Sequence, residues 1–140
     1  ARLEELTSKF PASGTARTAY RKMAKIRMDE GRIGDAIQYY RKALTSDNNE
    51  LNAQTQYEIA ELYERNGDLK KATEEFLNVP RLYPKGAFWA VRAQLKCAQD
   101  FEKLGQRDDA LRLYEKLAGM GIEESDFAKK RIESITGNVP

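Results

Sequence analysis

The sequence contains no histidine and a single cysteine, Cys97, among its 140 residues. Histidine is the commonest general base and the commonest side-chain metal ligand, so its absence removes the usual starting point for both catalysis and metal binding. One cysteine cannot form an internal disulfide, and no group of cysteines or carboxylates has the spacing of a metal site. The sequence therefore predicts no enzyme, no metal site and no cofactor, with Cys97 as a small buried residue of the core.

Long apolar runs are absent as well. No stretch approaches the roughly 20 apolar residues that a transmembrane helix needs, so we expect no membrane insertion of this segment. Hydrophobic residues make up 41% of the chain and charged residues 33%, a composition typical of a folded domain rather than a disordered tail. The 24 Lys and Arg nearly balance the 22 Asp and Glu, so the net charge of +2 points to no particular partner.

What the sequence does contain is a motif that occurs three times. Each copy is centred on a glycine, and these glycines are Gly31, Gly67 and Gly105. Five positions after each glycine comes a small residue, namely Ala36, Ala72 and Ala110. Nine positions after each comes an aromatic residue, namely Tyr40, Phe76 and Tyr114. Seven positions before each comes another alanine, namely Ala24, Ala60 and Ala98. Such recurrence predicts a repeat architecture.

The spacing within each copy is helical. Apolar residues follow one another at offsets of three, four and seven positions, and no sustained alternation of period two is present. The glycine stands where one helix ends and the chain reverses, a position that favours a left-handed backbone. We therefore predict helices near residues 16–30, 34–45, 51–66, 69–82, 87–104, 108–118 and 123–136. Pro80 is expected to bend or end the fourth helix, because it removes one backbone donor.

This pattern resembles the tetratricopeptide repeat, a two-helix unit of about 34 residues whose copies stack into a right-handed superhelix. The second copy fits best, with family-typical residues at Ile59, Ala60, Tyr63, Gly67, Ala72, Phe76 and Pro84. The first copy departs at Arg27, where an aromatic is expected, and at Asn48, where a terminal proline is expected. The third has Ile122 in place of that proline. The resemblance implies an all-α, right-handed α-solenoid of about three helix-turn-helix units with partial flanking helices.

The domain organisation follows from these units. We predict one domain over residues 1–140, with repeats at 16–48, 51–84 and 87–120 and a capping helix at 123–136. Residues 1–10 are expected to be the tail of a preceding helix in a longer array, because Phe10-Pro11 mirrors Tyr83-Pro84. A simple N-terminal capping segment is the alternative. The style of the repeats is similar to that of bacterial cell-envelope proteins, so the expected location is the periplasm or cell envelope, in outer-membrane assembly or polysaccharide export.

The candidate binding surface also comes from the resemblance. In tetratricopeptide arrays the first helix of each unit lines a concave groove that receives a peptide or a partner helix. The helix stripe opposite the core gives the candidate residues Arg21, Lys25, Met28, Tyr57, Glu61, Phe88, Arg92, Leu95 and Gln99. We expect this groove to be basic at one end and acidic in the middle, with Tyr57, Phe88 and Leu95 as apolar anchors. The alternative is that these residues form a solvated face or pack against neighbouring repeats.

Several partners fit such a groove. A non-catalytic scaffold that binds a protein or peptide is the main prediction, while a charged polysaccharide or the role of a purely structural spacer are the alternatives. The basic stretch 17–27 has only one interleaved aromatic, Tyr20, so nucleic acid is disfavoured. Some family members clamp a terminal carboxylate, and Arg21, Arg92 and Lys96 stand at basic places of that clamp. Glu58 stands where the clamp has an asparagine and would repel such a ligand, so the clamp is not predicted.

Overall fold

The fold consists of seven helices that follow one another through short turns. The computed structural model describes Glu4 and residues 14–137. The helices are α1 (Gly14–Asp29), α2 (Ile33–Ala43), α3 (Glu50–Arg65), α4 (Leu69–Leu82), α5 (Ala87–Lys103), α6 (Arg107–Ala118) and α7 (Glu124–Thr136). No strand occurs within the described residues. The all-α solenoid is confirmed, and each helix begins and ends within two residues of its predicted bounds. The predicted helix tail at residues 1–10 lies outside the described residues apart from Glu4.

Each helix pair reverses at its glycine. Gly31, Gly67 and Gly105 have φ angles of 78°, 82° and 76°, in the left-handed region that other residues resist. The backbone N–H of Gly67 donates to Glu64 O at 3.0 Å, and that of Asp68 donates to Tyr63 O at 2.9 Å. Equivalent bonds close the turns at the other two glycines, so the carbonyls at the helix ends are satisfied. The predicted role of the repeated glycine is confirmed.

The repeated alanines let the helices of a pair approach closely. Ala36, Ala72 and Ala110 are 0% exposed, as are Ala24, Ala60 and Ala98 on the partner helices. The repeated aromatics Tyr40, Phe76 and Tyr114 fill the space between the pairs and are also buried. Three of the core clusters each join one pair to the helix that follows it, so successive units are stacked on one another.

The turn between the first two units is held by side chains instead of a proline. The Asn52 amide donates to Thr45 Oγ1 and to Asp47 O, both at 2.7 Å. From the next turn, Tyr83 donates its hydroxyl to Thr45 O at 2.8 Å. The backbone N–H of Lys85 donates to Asn48 Oδ1 at 2.9 Å. Asn48, which departs from the family pattern, therefore fixes this turn to the following one.

Pro80 neither starts nor ends a helix. It lies inside α4, which continues to Leu82, and the N–H of Tyr83 still donates to Val79 O at 2.9 Å. The helix ends two residues after Pro80, at the predicted bound Leu82. A proline this close to a C-terminus removes one backbone bond while the packed turn retains the others. Among the described residues, no helix combines the length and apolarity needed to cross a bilayer.

Gly86 lies at a close contact between two units. This contact yields the first prediction. A Cβ added at Gly86 would lie 2.3 Å from the Cβ of Ala53, where α5 begins against α3. We expect Gly86→Ala to lower the free energy of unfolding by about 1–3 kcal/mol, the usual cost of overpacking. At Gly34, in α2, no atom lies within 4 Å of the position that a Cβ would occupy. Gly34→Ala is therefore the control and should be neutral or stabilising by up to about 1 kcal/mol. Urea unfolding monitored by circular dichroism measures the free energy of unfolding of both variants. Equal stability of the two variants would contradict the close contact between Gly86 and Ala53.

Candidate partner-binding face

Ion pairs connect the first helices of successive units along one side of the molecule. Arg21 on α1 contacts Glu58 on α3 at 2.7 Å, and Lys96 on α5 contacts Glu64 on α3 at 2.7 Å. A third pair joins Glu102 on α5 to α7, whose Arg131 donates through Nε at 3.0 Å. We call the surface formed by α1, α3, α5 and α7 the first-helix face. It corresponds to the surface that the sequence predicts as the groove.

Arg21 is built into this face rather than displayed on it. Its side chain is 14% exposed and donates to both Glu58 Oε1 and Thr55 Oγ1. Its guanidinium lies over the Tyr40 ring at 5.6 Å, and the Tyr40 hydroxyl donates to Glu58 Oε2 at 3.1 Å. Burial, and then the charge of Glu58, raise the pKa of Tyr40, so this hydroxyl stays a donor. The guanidinium is thus already occupied by the protein's own groups.

An aromatic cluster lies where α5 meets α3. We call Tyr57, Phe88 and Trp89 the aromatic platform. The Trp89 ring lies 5.3 Å from Tyr57 and 5.1 Å from Phe88, the latter in an edge-on geometry. Arg92 stacks over all three rings, at 5.5 Å from Tyr57, 5.3 Å from Phe88 and 5.6 Å from Trp89. Phe88 remains 58% exposed, so the platform presents a large apolar side chain to solvent.

Tyr57 is not the accessible anchor that the sequence suggests. It is 2% exposed and lies between Trp89 and Phe76, whose ring is 5.4 Å away. A helical projection of α3 alone places Tyr57 opposite the core, but α5 packs on that side and covers it. Burial is also the main cause of its raised pKa, followed by the charge of Glu61. The expectation for Tyr57 is therefore corrected, since it supports the platform from within the core.

The remaining candidate residues fall into two groups. Lys25 and Arg92 are exposed, whereas Met28, Glu61, Leu95 and Gln99 are half-buried. Lys25, Met28 and Glu61 line a pocket of about 170 Å³ between α1 and α3. Gln99 lines a second pocket of about 420 Å³ between α5 and α7. Leu95 packs against the core cluster of α6 and α7, which limits its use as an anchor. The predicted stripe is thus not one continuous groove. Its residues contribute to two separate pockets and to the aromatic platform.

Several residues that line this face, Lys103 among them, are missing from the sequence-based candidates. Phe127 and Arg131 of α7 line the larger pocket, and Arg65 lines the smaller one. The predicted stripe runs only through the three complete units, so α7 is absent from it. Arg131 could have been found, because it stands at helical spacing among the apolar residues Ala128, Ile132 and Ile135. A charge within an apolar stripe predicts a partner, here Glu102.

Comparison with known proteins agrees with this geometry. Residues 27–95 match the tetratricopeptide repeat family model. The chain contains tetratricopeptide repeats. A variant structure of a candidate kinesin light chain from Podosopora anserina, made of nearly identical TPR-like repeats, is 17% identical with a TM-score of 0.68. A second structure of those repeats is 16% identical with a TM-score of 0.67. In both cases the match covers 96% of this chain and 76% of the other, and such identities show the fold alone. No curated protein matches the sequence significantly.

One buried carboxyl of the tetratricopeptide array receives no hydrogen bond. Asp100 on α5 is 0% exposed, neither of its oxygens accepts from a donor within the described residues, and its carboxyl shares a hydrogen bond only with the Glu64 side chain. Burial, and then the neighbouring Glu64, raise the pKa of Asp100 to about 7, while Lys103 and Lys96 act in the opposite direction. The thiol of Cys97 lies beside it and donates to Thr73 O at 3.5 Å. Cys97 is buried in the core, as the sequence predicts. This burial raises the pKa of its thiol.

The position of Tyr57 predicts a stability effect. We expect Tyr57→Ala to lower the free energy of unfolding by about 3–5 kcal/mol, the range for removing a buried aromatic ring. Phe88→Ala is the matched control from the same platform, and it should cost far less because its ring is 58% exposed. Urea unfolding curves of both variants measure the difference. If Tyr57→Ala were no more destabilising than Phe88→Ala, the result would contradict the buried position of the Tyr57 ring.

Asp100 predicts a pH dependence. Its pKa is higher in the folded protein than in the unfolded chain, so the folded state binds this proton more tightly. The associated stability is present below the unfolded pKa and is lost as the pH rises through about 7. Each pKa unit of difference is worth about 1.4 kcal/mol. We expect Asp100→Asn to be more stable than wild type at pH 8 and to flatten the decline between pH 5 and 8.

Chemical unfolding at a series of pH values provides the measurement. Asp108→Asn, which removes an exposed carboxylate from the first turn of α6, is the control and should retain the decline. A decline that persists unchanged in Asp100→Asn would assign the pH dependence to another group.

Proposed function

We propose that this tetratricopeptide array is a non-catalytic interaction scaffold that holds an extended peptide or a partner helix on its first-helix face. Tetratricopeptide repeats generally mediate protein–protein interaction, and that is the coarse function of the family. The observation that carries the proposal for this chain is the aromatic platform. Phe88 is 58% exposed yet held in place by Trp89 and Arg92, which is how binding hot spots are commonly built.

The face is rigid before any partner arrives. Stacked units share continuous cores, and the ion pairs Arg21–Glu58 and Lys96–Glu64 fix the spacing between neighbouring first helices. The half-buried position of these pairs makes them stronger than ordinary surface pairs, which contribute little. A preformed surface loses less conformational entropy on association than a flexible one, so more of the contact energy remains as affinity.

The setting of the interaction and the class of the partner are the finer parts of this proposal. A segment of a larger protein in cell-envelope assembly or export would use this face to hold a protein partner. A charged polysaccharide could use its cations, but such a ligand would leave the apolar surface of Phe88 without a counterpart. A structural spacer would have no use for an exposed aromatic ring. The platform therefore favours a protein partner over both alternatives.

Peptide display tests this proposal. A random library of 12-residue peptides is selected on immobilised wild-type protein, and the affinities of enriched peptides are measured by fluorescence anisotropy. We expect Phe88→Ala to weaken binding by about tenfold or more, because a hot-spot side chain contributes at least that much. Leu77→Ala is the control, since Leu77 is an exposed apolar residue on the second helix α4. If the peptides bound both variants as tightly as they bind the wild-type protein, the binding surface would lie elsewhere.

A further inference from the structure

Three carboxylates of the first-helix face form ion pairs within the protein. Glu58, Glu64 and Glu102 each contact a cation from a neighbouring helix, respectively Arg21, Lys96 and Arg131. The Tyr114 hydroxyl also donates to Glu102 at 2.6 Å, and Arg131 and this bond together lower the pKa of that carboxyl. The charges of these three carboxylates are therefore neutralised within the protein.

Four other cations of the same face are exposed to solvent. Lys25, Arg65, Arg92 and Lys103 are all exposed, and none of them forms an ion pair with a carboxylate of residues 14–137. Lys25 and Arg65 line the smaller pocket from opposite helices, and Lys103 lines the larger one. Arg92 lies over the aromatic platform, shares a hydrogen bond with the Tyr57 side chain and is still exposed to solvent.

The one carboxylate of the two pockets without such an ion pair is Glu61. It is half-buried, and burial is the main cause of its raised pKa. Arg92 and Lys96 lie near enough to counter that shift. Among the charged residues that line the pockets, contact the platform or pair with them, six cations thus face three carboxylates. A ligand on this face meets a positive surface although the whole chain is nearly neutral.

We infer that the partner of the first-helix face is an acidic, extended protein segment whose side-chain carboxylates contact Lys25, Arg65, Arg92 and Lys103. This inference rests on the proposed function and specifies the chemistry of the partner. Charge complementarity is the argument, because a partner with the opposite sign is steered to such a face and a basic one is repelled. The apolar parts of the segment contact Phe88 and the Met28 side of the smaller pocket.

A clamp for a terminal carboxylate is a different arrangement and does not fit. Two of the three cations that stand at clamp positions, Arg21 and Lys96, are bound to Glu58 and Glu64. Releasing either cation would leave a partly buried glutamate without its ion-pair partner, which is costly. The available cations instead lie apart on α1, α3 and α5, a distribution suited to several carboxylates along a segment.

The experiment combines unbiased selection with charge reversal. Peptides of 12 residues enriched on the wild-type protein are sequenced, and their net charge is compared with that of the unselected library. We expect enriched peptides to be acidic. We expect Arg92→Glu, and the double variant Lys25→Glu with Arg65→Glu, to weaken their binding by about tenfold or more. Lys70→Glu reverses an exposed charge on the second helix α4 and is the control, with little change expected. Raising the salt concentration to about 0.5 M should also weaken binding, because exposed charges are screened.

The possible results separate the two proposals. Enriched peptides that require Phe88 but are neutral or basic would overturn the acidic partner and leave the proposed function intact. Acidic peptides that tolerate the reversals at Arg92, Lys25 and Arg65 would also overturn it. Peptides that bind independently of Phe88 and of these cations would contradict the proposed function itself. Heparin serves as a polyanionic polysaccharide probe. Tight heparin binding that is lost on charge reversal, with no enrichment of acidic peptides, would replace the protein segment by a polysaccharide.

Discussion

The structure depends on the close approach of two helices at a pair of alanines beside a left-handed glycine. Ala36, Ala72 and Ala110 are fully buried against the helix that precedes them, and a larger side chain there would push the two helices apart. Because the glycine sets the reversal and the alanine sets the distance, every unit has nearly the same shape. Units of the same shape stack on one another, and the buried clusters continue from each pair into the next.

Stacking has an electrostatic consequence for the surface. It brings the first helices side by side, so that acidic and basic residues distant in sequence become neighbours. Arg21 and Glu58 are 37 positions apart and Glu102 and Arg131 are 29 apart, yet both pairs are in contact. Charged side chains that form these ion pairs connect neighbouring units and are not available to a ligand. The charge that a partner encounters is therefore what remains after internal pairing, which composition does not report.

The fold could be predicted from the sequence because its determinants are local and repeated. Helical spacing, the glycines and the alanines define the helices and the core, and even Cys97 lies where its repeat position places it. The site could be predicted only in part. Tyr57 lies on the correct stripe of α3 but is covered by α5, and a single-helix projection contains no information about that neighbour. Arg65 and Lys103 matter because they lack ion-pair partners within residues 14–137, and this too is a property of the assembled units.

Asp100 bears on the choice between a binding surface and a spacer. A fully buried carboxyl that accepts no hydrogen bond from a donor among the described residues destabilises the fold, and a leucine or alanine at that position would avoid the cost. Natural sequences retain such local conflicts mainly where a function compensates for them. Asp100 is on the same helix as Lys96, one turn away, and Glu64 interacts with both. The conflict thus lies directly behind the first-helix face. A spacer needs only stable stacking and gains nothing from such a conflict, so the retained carboxyl supports the proposed binding surface rather than a spacer.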